Sequence, residues 1–194
     1  MSNTESQNNI EWYVSNFKSF EEKLNGQSKS FLHDIRKEAL KQLAEFDFPT
    51  NKNEEWKYTN ISPILKQNFV PAINTVLHKF SKSEIKEFLF KNFDYHLLVF
   101  VKGIFSEELS DVGELPKGVV VGSLNRIVKE NPTLINEYFN KLSNIDNAFN
   151  ALNTAYASDG LVVIVPDGKI VKKPIQVLYL NSSGKELVLA VPRN

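Results

Sequence analysis

The sequence predicts an α+β fold with an N-terminal helical region, a mixed α/β middle and a run of strands at its C-terminal end. In the first 46 residues, apolar side chains recur every three or four positions, which is typical of amphipathic helices. In the middle, the apolar run His96–Lys102 indicates a buried strand. After Gly160, β-rich runs alternate with turn-forming residues.

Two amphipathic helices are predicted at the N-terminus. The first has its apolar stripe over residues 10–24, and the second has one over residues 32–46. Pro49 ends the second helix because proline lacks the amide N–H that a helix interior needs. We expect the two helices to pack as a hairpin. Residues 47–75 contain two further prolines and are predicted to be irregular.

Three more helices are predicted in the middle of the chain. Ser81 and Glu84 have the spacing of a capping box, in which both side chains satisfy free N–H groups at a helix start. Asn131 followed by Pro132 favours another start, with asparagine as the cap and proline in the first turn. The third helix has an apolar face over residues 145–156. Between the first two helices, residues 96–102 and 118–121 are predicted strands, joined by a polar connection.

Three strands are predicted near the C-terminal end, over residues 161–165, 175–180 and 187–191. The chain stops three residues after the last strand, and nothing follows that could cover a sheet edge. Because an open edge promotes association, we expect this chain to be the front part of a longer protein. The alternative is that the last strand pairs in the centre of a sheet.

Composition excludes several classes of function. The 194 residues contain 23 basic and 23 acidic side chains, a balance that does not suit a dedicated nucleic-acid-binding protein. There is no cysteine, so disulfides, thiolate nucleophiles and cysteine-ligated metal centres are excluded. No apolar run approaches the roughly 20 residues that span a bilayer, and the first ten residues do not resemble a secretory signal. We therefore expect a cytoplasmic protein that binds neither nucleic acid nor membrane.

The sequence contains no recognisable catalytic constellation. The glycine-containing segments lack the lysine and hydroxyl residue of a phosphate-binding loop, and no serine lies in a nucleophile elbow. The histidines do not have the spacing of a helical metal site and are interpreted as surface or structural residues: His33, His78 and His96. Adjacent carboxylates are interpreted as solvated side chains: Glu21-Glu22, Glu54-Glu55 and Glu107-Glu108. Accordingly, no catalytic, cofactor-binding or metal-binding residue is predicted.

Two segments nevertheless carry a resemblance. Residues 49–60 contain the run Glu54-Glu55-Trp56-Lys57-Tyr58-Thr59, and residues 149–160 contain Leu152-Asn153-Thr154-Ala155 before a predicted strand. In their order and separation, these two signature segments resemble the N-terminal part of the SufB/SufD family, whose members belong to the SUF iron–sulfur cluster assembly machinery. The first segment is most similar to the SufD branch. The signature residues are Glu55, Trp56, Tyr58, Thr59, Asn153 and Thr154.

The resemblance implies a fold and a function. It divides the chain into a helical region (1–60), a mixed α/β region (61–158) and the first strands of a right-handed parallel β-helix (159–194). It implies a non-catalytic scaffold subunit of a SufB–SufC–SufD complex. Partners would be SufB-like and SufC-like ATPase subunits, reached through downstream regions that this chain lacks. The iron–sulfur cluster would belong to the complex, with no cofactor bound by this segment.

For the signature residues we favour structural roles. Trp56 and Tyr58 are expected to fill the join between the helical hairpin and the α/β layer, with their polar tips hydrogen-bonded. Direct contact of these rings with a partner is the alternative. Asn153 and Thr154 are expected to allow close packing of their helix against the first β-helix strand.

Two other functions are alternatives. The helices could cap a carbohydrate-active β-helix enzyme, but such an enzyme needs clustered carboxylates on strand faces. The three C-terminal strands contain none. A SufB-like cluster scaffold is the other alternative, and it would require cysteines further downstream.

Overall fold

The computed structural model describes residues 3–24, 30–67, 69–73, 79–139, 141, 144–181 and 187–191, with side chains from residue 9 onward. Within these ranges the fold is mixed α+β, as the sequence predicts, with seven α-helices and three small sheets. The helices are α1 (Asn3–Glu22), α2 (Phe31–Glu45), α3 (Ser62–Leu65), α4 (Lys82–Ile85), α5 (Leu124–Glu130), α6 (Pro132–Tyr138) and α7 (Ala148–Ala155). Two 3₁₀ turns cover Glu54–Trp56 and Lys86–Phe88.

The strands form one three-stranded and two two-stranded sheets. They are β1 (Val70–Pro71), β2 (His96–Val101), β3 (Ile104–Phe105), β4 (Val120–Ser123), β5 (Leu161–Ile164), β6 (Ile175–Leu180) and β7 (Val188–Leu189). The largest sheet has the order β3-β2-β6, with β2 antiparallel to β3 and parallel to β6. The other two sheets pair β4 with β5 antiparallel and β1 with β7 parallel.

The N-terminal helices share one apolar core with α7. Tyr13, Phe17 and Phe20 of α1 lie in it together with Leu43 of α2. Tyr156, directly after α7, packs its ring against the rings of Tyr13, Phe17 and Phe20. The predicted contact between α1 and α2 is confirmed, and α7 completes the core that the two helices form.

Strand β2 is buried along its whole length. Its alternate side chains enter two different cores: Val99 and Val101 pack with Ile85, whereas Leu98 and Phe100 pack with apolar residues next to β4. Burial of both faces explains why this strand is continuously apolar instead of alternating apolar and polar residues. The turn to β3 uses Lys102 and Gly103, both with positive φ (50° and 80°), a conformation that favours a two-residue hairpin connection.

Helix starts match the capping signals in the sequence. Ser81 and Glu84 form the predicted capping box, with the Glu84 N–H donating to Ser81 Oγ (3.3 Å) and the Ser81 N–H donating to Glu84 Oε2 (2.7 Å). Asn131 caps α6 by accepting from the Leu134 N–H. Helix α5 was not predicted, because it follows β4 without a loop, and Ser123 both ends the strand and caps the helix.

The C-terminal strands form where the sequence predicts them, although β7 is shorter than expected. Within the described ranges, β5, β6 and β7 join three different sheets and do not pair with one another: β5 pairs with the preceding strand β4, whereas β6 pairs with β2 and β7 pairs with β1. Strand β6 pairs with β2 over six residues, from His96↔Ile175 to Val101↔Leu180. These strands therefore anchor the C-terminal segment to the middle of the chain. The predicted division at residues 60 and 158 stays a prediction, and His78 lies outside the described residues.

Candidate functional site

The two signature segments lie side by side in the fold. The Trp56 ring stacks on Phe149, the first residue of the second segment, with centroids 5.4 Å apart and an interplanar angle of 26°. The Phe48 ring also packs against Phe149, with centroids 5.1 Å apart and an interplanar angle of 57°. The three rings join the segment after α2 to the start of α7, and this junction is the candidate functional site.

Local hydrogen bonds hold Trp56 in place. The Thr50 N–H donates to Asn53 Oδ1 (2.9 Å), and the Asn53 N–H donates back to the Thr50 carbonyl (2.9 Å). The Trp56 N–H then donates to the Asn53 carbonyl (2.9 Å), which closes the 3₁₀ turn. Asparagine and threonine bond readily to nearby backbone in this way, so the sequence itself favours this turn.

On the other side of the junction, α7 starts at an asparagine cap. Asn147 Oδ1 accepts from the Asn150 N–H (2.9 Å), one of the free donors at a helix start. The Asp146 carboxylate accepts from the side-chain amides of Asn147 (2.7 Å) and Asn150 (2.8 Å). These bonds set the direction in which Phe149 meets the Trp56 ring.

A cleft of about 610 Å³ opens at this junction, and we name it the acidic cleft. Residues 46–50 and 53–56 form one side, and Asp146, Asn147 and Phe149 form the other. Its lining includes four carboxylates, from Asp47, Glu54, Glu55 and Asp146, and all four residues are exposed.

The lining residues given by the structure include no lysine, arginine or histidine. Lys52 and Lys57 belong to the same segment but do not line the cleft, and Lys57 Nζ lies 5.6 Å from the centroid of the Tyr58 ring. In the described part of the chain, Glu54, Glu55 and Asp146 have no ion-pair partner. The acidic cleft therefore combines concentrated negative charge with an aromatic wall.

The first signature segment is more exposed than the sequence predicts. Trp56 is half-buried, as expected for a residue at a join between two layers. Tyr58 is 93% exposed, so the prediction that its ring fills that join is wrong. Glu55 and Thr59 are exposed as well. The reason is the 3₁₀ turn, which directs Trp56 towards α7 and carries the residues that follow it outwards.

The second signature segment continues along α7. Thr154 is fully buried, and Asn153 is half-buried. Asn153 lines a second, mainly apolar groove of about 610 Å³, in which Tyr13 and Leu65 face β7 and the residues after it. Helix α7 thus contributes Phe149 to both cavities, and Asn153 to the second one.

Comparisons with known proteins agree with the resemblance that the two segments carry. Residues 7–177 match the family model described as the SufBD protein N-terminal region, which is most of the chain. This chain belongs to the SufBD family. The match includes both signature segments and extends into β6.

Two curated proteins are similar to this SufBD N-terminal region. One, from Synechocystis, is named an iron–sulfur cluster assembly SufBD family protein and is 26% identical over 170 residues, covering 88% of this chain and 37% of its own length. The other is the chloroplastic protein ABCI7 of Arabidopsis thaliana, 25% identical over 167 residues, covering 84% of this chain and 34% of its own length. The chain thus spans about a third of the length of these relatives.

A buried carboxylate organises the middle of the SufBD region. Asp159 is 2% exposed, and its Oδ1 accepts from Ser123 Oγ (2.7 Å), the Asn125 N–H (3.1 Å) and the Gly160 N–H (2.9 Å). Its Oδ2 accepts from the Phe105 N–H (2.9 Å). One side chain therefore ties β3, the start of α5 and the start of β5 together. In the sequence, Asp159-Gly160 indicates only the end of a helix.

A buried guanidinium lies where α2 meets the end of α7. Arg36 is fully buried, and its Nε donates to the Ala157 carbonyl (2.7 Å). Burial lowers the pKa of Arg36 to about 10. A cation is favourable here because the last carbonyl groups of a helix carry partial negative charge. Arg36 thereby fixes α7 to α2.

Two histidines have structural roles in the described part of the chain. His33 is 1% exposed, hydrogen-bonds through Nε2 to Glu21 Oε1 (2.7 Å) and stacks on Phe17. This hydrogen bond is the main reason that the pKa of Glu21 is lowered. His96 is also buried and bonds through Nδ1 to the Val112 carbonyl. Both observations confirm the structural interpretation of these two histidines.

Two buried tyrosines, Tyr13 and Tyr156, meet in the N-terminal core. Tyr156 donates its hydroxyl proton to the Tyr13 carbonyl (2.6 Å), and burial raises the pKa of Tyr13 to about 12 and also raises that of Tyr156. Among the described residues, no group of three histidine, cysteine, aspartate or glutamate side chains is placed to hold a metal ion. Nor is any described helix long and apolar enough to cross a membrane.

Proposed function

We propose that this chain is the N-terminal region of a SufD-like subunit, a non-catalytic scaffold in iron–sulfur cluster assembly. The observation that carries the proposal is the family match over residues 7–177. It is supported by the Synechocystis relative, whose name places it in iron–sulfur cluster assembly. The SufD branch is proposed on the sequence of the first signature segment.

The chemistry of the side chains favours a scaffold over an enzyme. Three buried polar groups, those of Asp159, Arg36 and Tyr156, each bond to backbone groups of a neighbouring element and thus hold the fold together. The chain has no cysteine to supply thiolate ligands. We therefore propose that the cluster is cargo of the complex, held outside this region.

We further propose that the complete subunit works with SufB-like and SufC-like ATPase partners in the cytoplasm, and that a right-handed parallel β-helix begins after residue 159. The β-helix is proposed on the resemblance to the SufB/SufD family; in the described residues, β6 and β7 pair in parallel with β2 and β1, which precede residue 159.

Depletion of the full-length protein in its source cell tests the assembly role. We expect the cluster content and the activity of a cluster-dependent enzyme such as aconitase to fall while the amount of its polypeptide stays constant. Chemical reconstitution with iron and sulfide should restore that activity, which serves as the control for an intact polypeptide. Unchanged cluster content after depletion would overturn the proposal.

Gentle affinity purification of the full-length protein tests the partners. A SufD-like subunit should bring down a SufB-like protein and an ABC-type ATPase, and recovery of the protein alone would contradict this. Anaerobic incubation of the purified protein with iron and sulfide separates the two branches. Formation of a stable cluster on the protein itself would favour the SufB-like alternative.

A further inference from the structure

We propose that Asp167, in the turn between β5 and β6, forms isoaspartate spontaneously and thereby becomes a substrate for an isoaspartyl O-methyltransferase. The fold protects Asp159 from the same reaction. Both aspartates directly precede a glycine, at Asp159-Gly160 and Asp167-Gly168. Glycine has no Cβ to hinder attack by its own amide nitrogen, so an aspartate before glycine reacts when its backbone is free to rotate. This inference does not depend on the proposed scaffold function.

The reaction needs only the two residues of the dipeptide and water. The amide nitrogen of Gly168 attacks Cγ of the protonated Asp167 side chain. An N–Cγ bond forms, the Cγ–OH bond breaks, and the hydroxyl leaves as water with the amide proton, which gives a five-membered succinimide. Water then opens this ring. Its attack at Cγ restores aspartate, and its attack at the backbone carbonyl gives isoaspartate, in which the chain passes through Cβ. Nothing is oxidised or reduced.

The turn leaves Asp167 free to react. Asp167 and Gly168 are both exposed, and in the described part of the chain the Asp167 carboxylate has no hydrogen-bond or ion-pair partner. One hydrogen bond closes the turn, from the Lys169 N–H to the Pro166 carbonyl (3.1 Å). Gly168 has a φ of 72°, and, its chain neighbours apart, no described atom lies within 4 Å of the position that a Cβ would take. The backbone around the reacting nitrogen therefore has room to rotate.

The same dipeptide at Asp159-Gly160 is held in place. Asp159 is buried and accepts four hydrogen bonds, one of them from the Gly160 N–H (2.9 Å) and another from the Phe105 N–H (2.9 Å). Gly160 is buried as well, and its carbonyl accepts from the Leu124 N–H (2.8 Å). Attack by the Gly160 nitrogen requires these bonds to break, so Asp159 reacts only when the middle of the fold opens.

The expected difference in rate between the two sites follows from that opening. A folded domain exposes its interior for a fraction of the time on the order of 10⁻³ or less. In the folded chain, we therefore expect isoaspartate to form at least about a hundredfold more slowly at Asp159 than at Asp167. In the unfolded chain both dipeptides are surrounded by solvent, and the two rates should agree within about threefold.

The test incubates the intact chain for several weeks at physiological temperature in mildly acidic buffer, with a parallel sample unfolded in guanidinium chloride. Both samples are then digested with an endoprotease that cleaves before aspartate but not before isoaspartate, and the peptides are quantified by mass spectrometry. Uncleaved bonds before residues 159 and 167 report each site separately and exclude isoaspartate formed at Asn25-Gly26. Peptides left uncleaved before residue 167 should accept a methyl group from S-adenosylmethionine when an isoaspartyl O-methyltransferase is added.

Two substitutions test the chemistry at the turn. Asp167→Asn should form the same succinimide faster, because ammonia leaves from an amide more readily than water leaves from an ionised carboxylate. Asp167→Glu keeps the charge but would need a six-membered ring, so the modification at residue 167 should be lost. Both substitutions affect an exposed side chain, so we expect both variants to fold, as circular dichroism would check.

Three results would each overturn the proposal: no isoaspartate at residue 167 in the folded chain, equal rates at the two aspartates in the folded chain, or no methyl transfer to the peptides left uncleaved before residue 167. The first would show that the turn holds Asp167 as firmly as the core holds Asp159. Equal rates would show that the four hydrogen bonds to Asp159 give no protection.

Discussion

Asp159→Asn tests whether the buried carboxylate holds the middle of the fold together. The side chain accepts four hydrogen bonds, three at Oδ1 from Ser123, Asn125 and Gly160 and one at Oδ2 from Phe105. Asparagine has almost the same shape, but one of its two terminal atoms is an NH₂ group that cannot accept. In the better orientation, the amide oxygen keeps the three donors at Oδ1, and the NH₂ group faces the Phe105 N–H.

The expected loss of stability follows from the one hydrogen bond that is lost, between the Phe105 N–H and Oδ2 of residue 159. A hydrogen bond to a charged acceptor contributes about 1.5–3 kcal/mol, and the remaining N–H donor is left without a partner. We therefore expect Asp159→Asn to lower the free energy of unfolding by at least about 1.5–3 kcal/mol. For a chain of this size, the melting temperature should fall by about 3–12 °C. Asp159→Ala, which removes both acceptors, should cost more.

Urea unfolding followed by circular dichroism measures this change. The control is Asp167→Asn, the same substitution at an exposed aspartate, which should change the free energy of unfolding by less than about 0.5 kcal/mol. If Asp159→Asn were as stable as the wild type, or matched the Asp167 variant, the argument from the four accepted bonds would be refuted.

Three further changes can be measured by the same unfolding assay. Glu21→Gln should be less stable than the wild type at neutral pH, and the difference should vanish as the pH falls from the ordinary glutamate pKa of 4.5 through the lowered pKa of the folded state. Glu22→Gln, the same substitution at an exposed neighbour, is the control and should change the free energy of unfolding at neutral pH by less than about 0.5 kcal/mol. Trp56→Ala should lower the free energy of unfolding by about 1 kcal/mol or more, because it removes the ring that stacks on Phe149. Tyr58→Ala should change it by less than about 0.5 kcal/mol, because that ring is exposed, and similar losses in the two variants would contradict this difference in exposure. Ser81→Ala should cost about 1 kcal/mol because it removes the capping box, and an unchanged stability would count against that cap.

Local signals in the sequence were reliable where the structure depends on neighbouring residues. The capping box at Ser81 and Glu84 and the cap at Asn131 form as predicted, because their hydrogen bonds join residues only three positions apart. The apolar run of β2 correctly indicated a strand buried on both faces. Helix α5 escaped prediction because it follows β4 directly, without a loop to mark its start.

The candidate site was predictable only in part. The sequence drew attention to Trp56 and to the segment at Phe149, but it gave no reason to place them in contact. Adjacent glutamates at 54 and 55 suggested ordinary solvated side chains, and exposure is what the structure shows for them. The structure adds that Asp146, which is about 90 positions away in sequence, lines the same cleft as these two glutamates.

By itself, the sequence determined the α+β class, the helix caps, the buried central strand and the exclusion of thiolate chemistry, because these depend on composition and on contacts between near neighbours. Only the tertiary structure decided which strands pair, that Tyr58 faces solvent, and that Arg36 and Asp159 are buried. The physical reason is that a charged side chain becomes favourable in the interior only where distant backbone groups converge on it, as Ala157 does on Arg36 and Phe105 on Asp159.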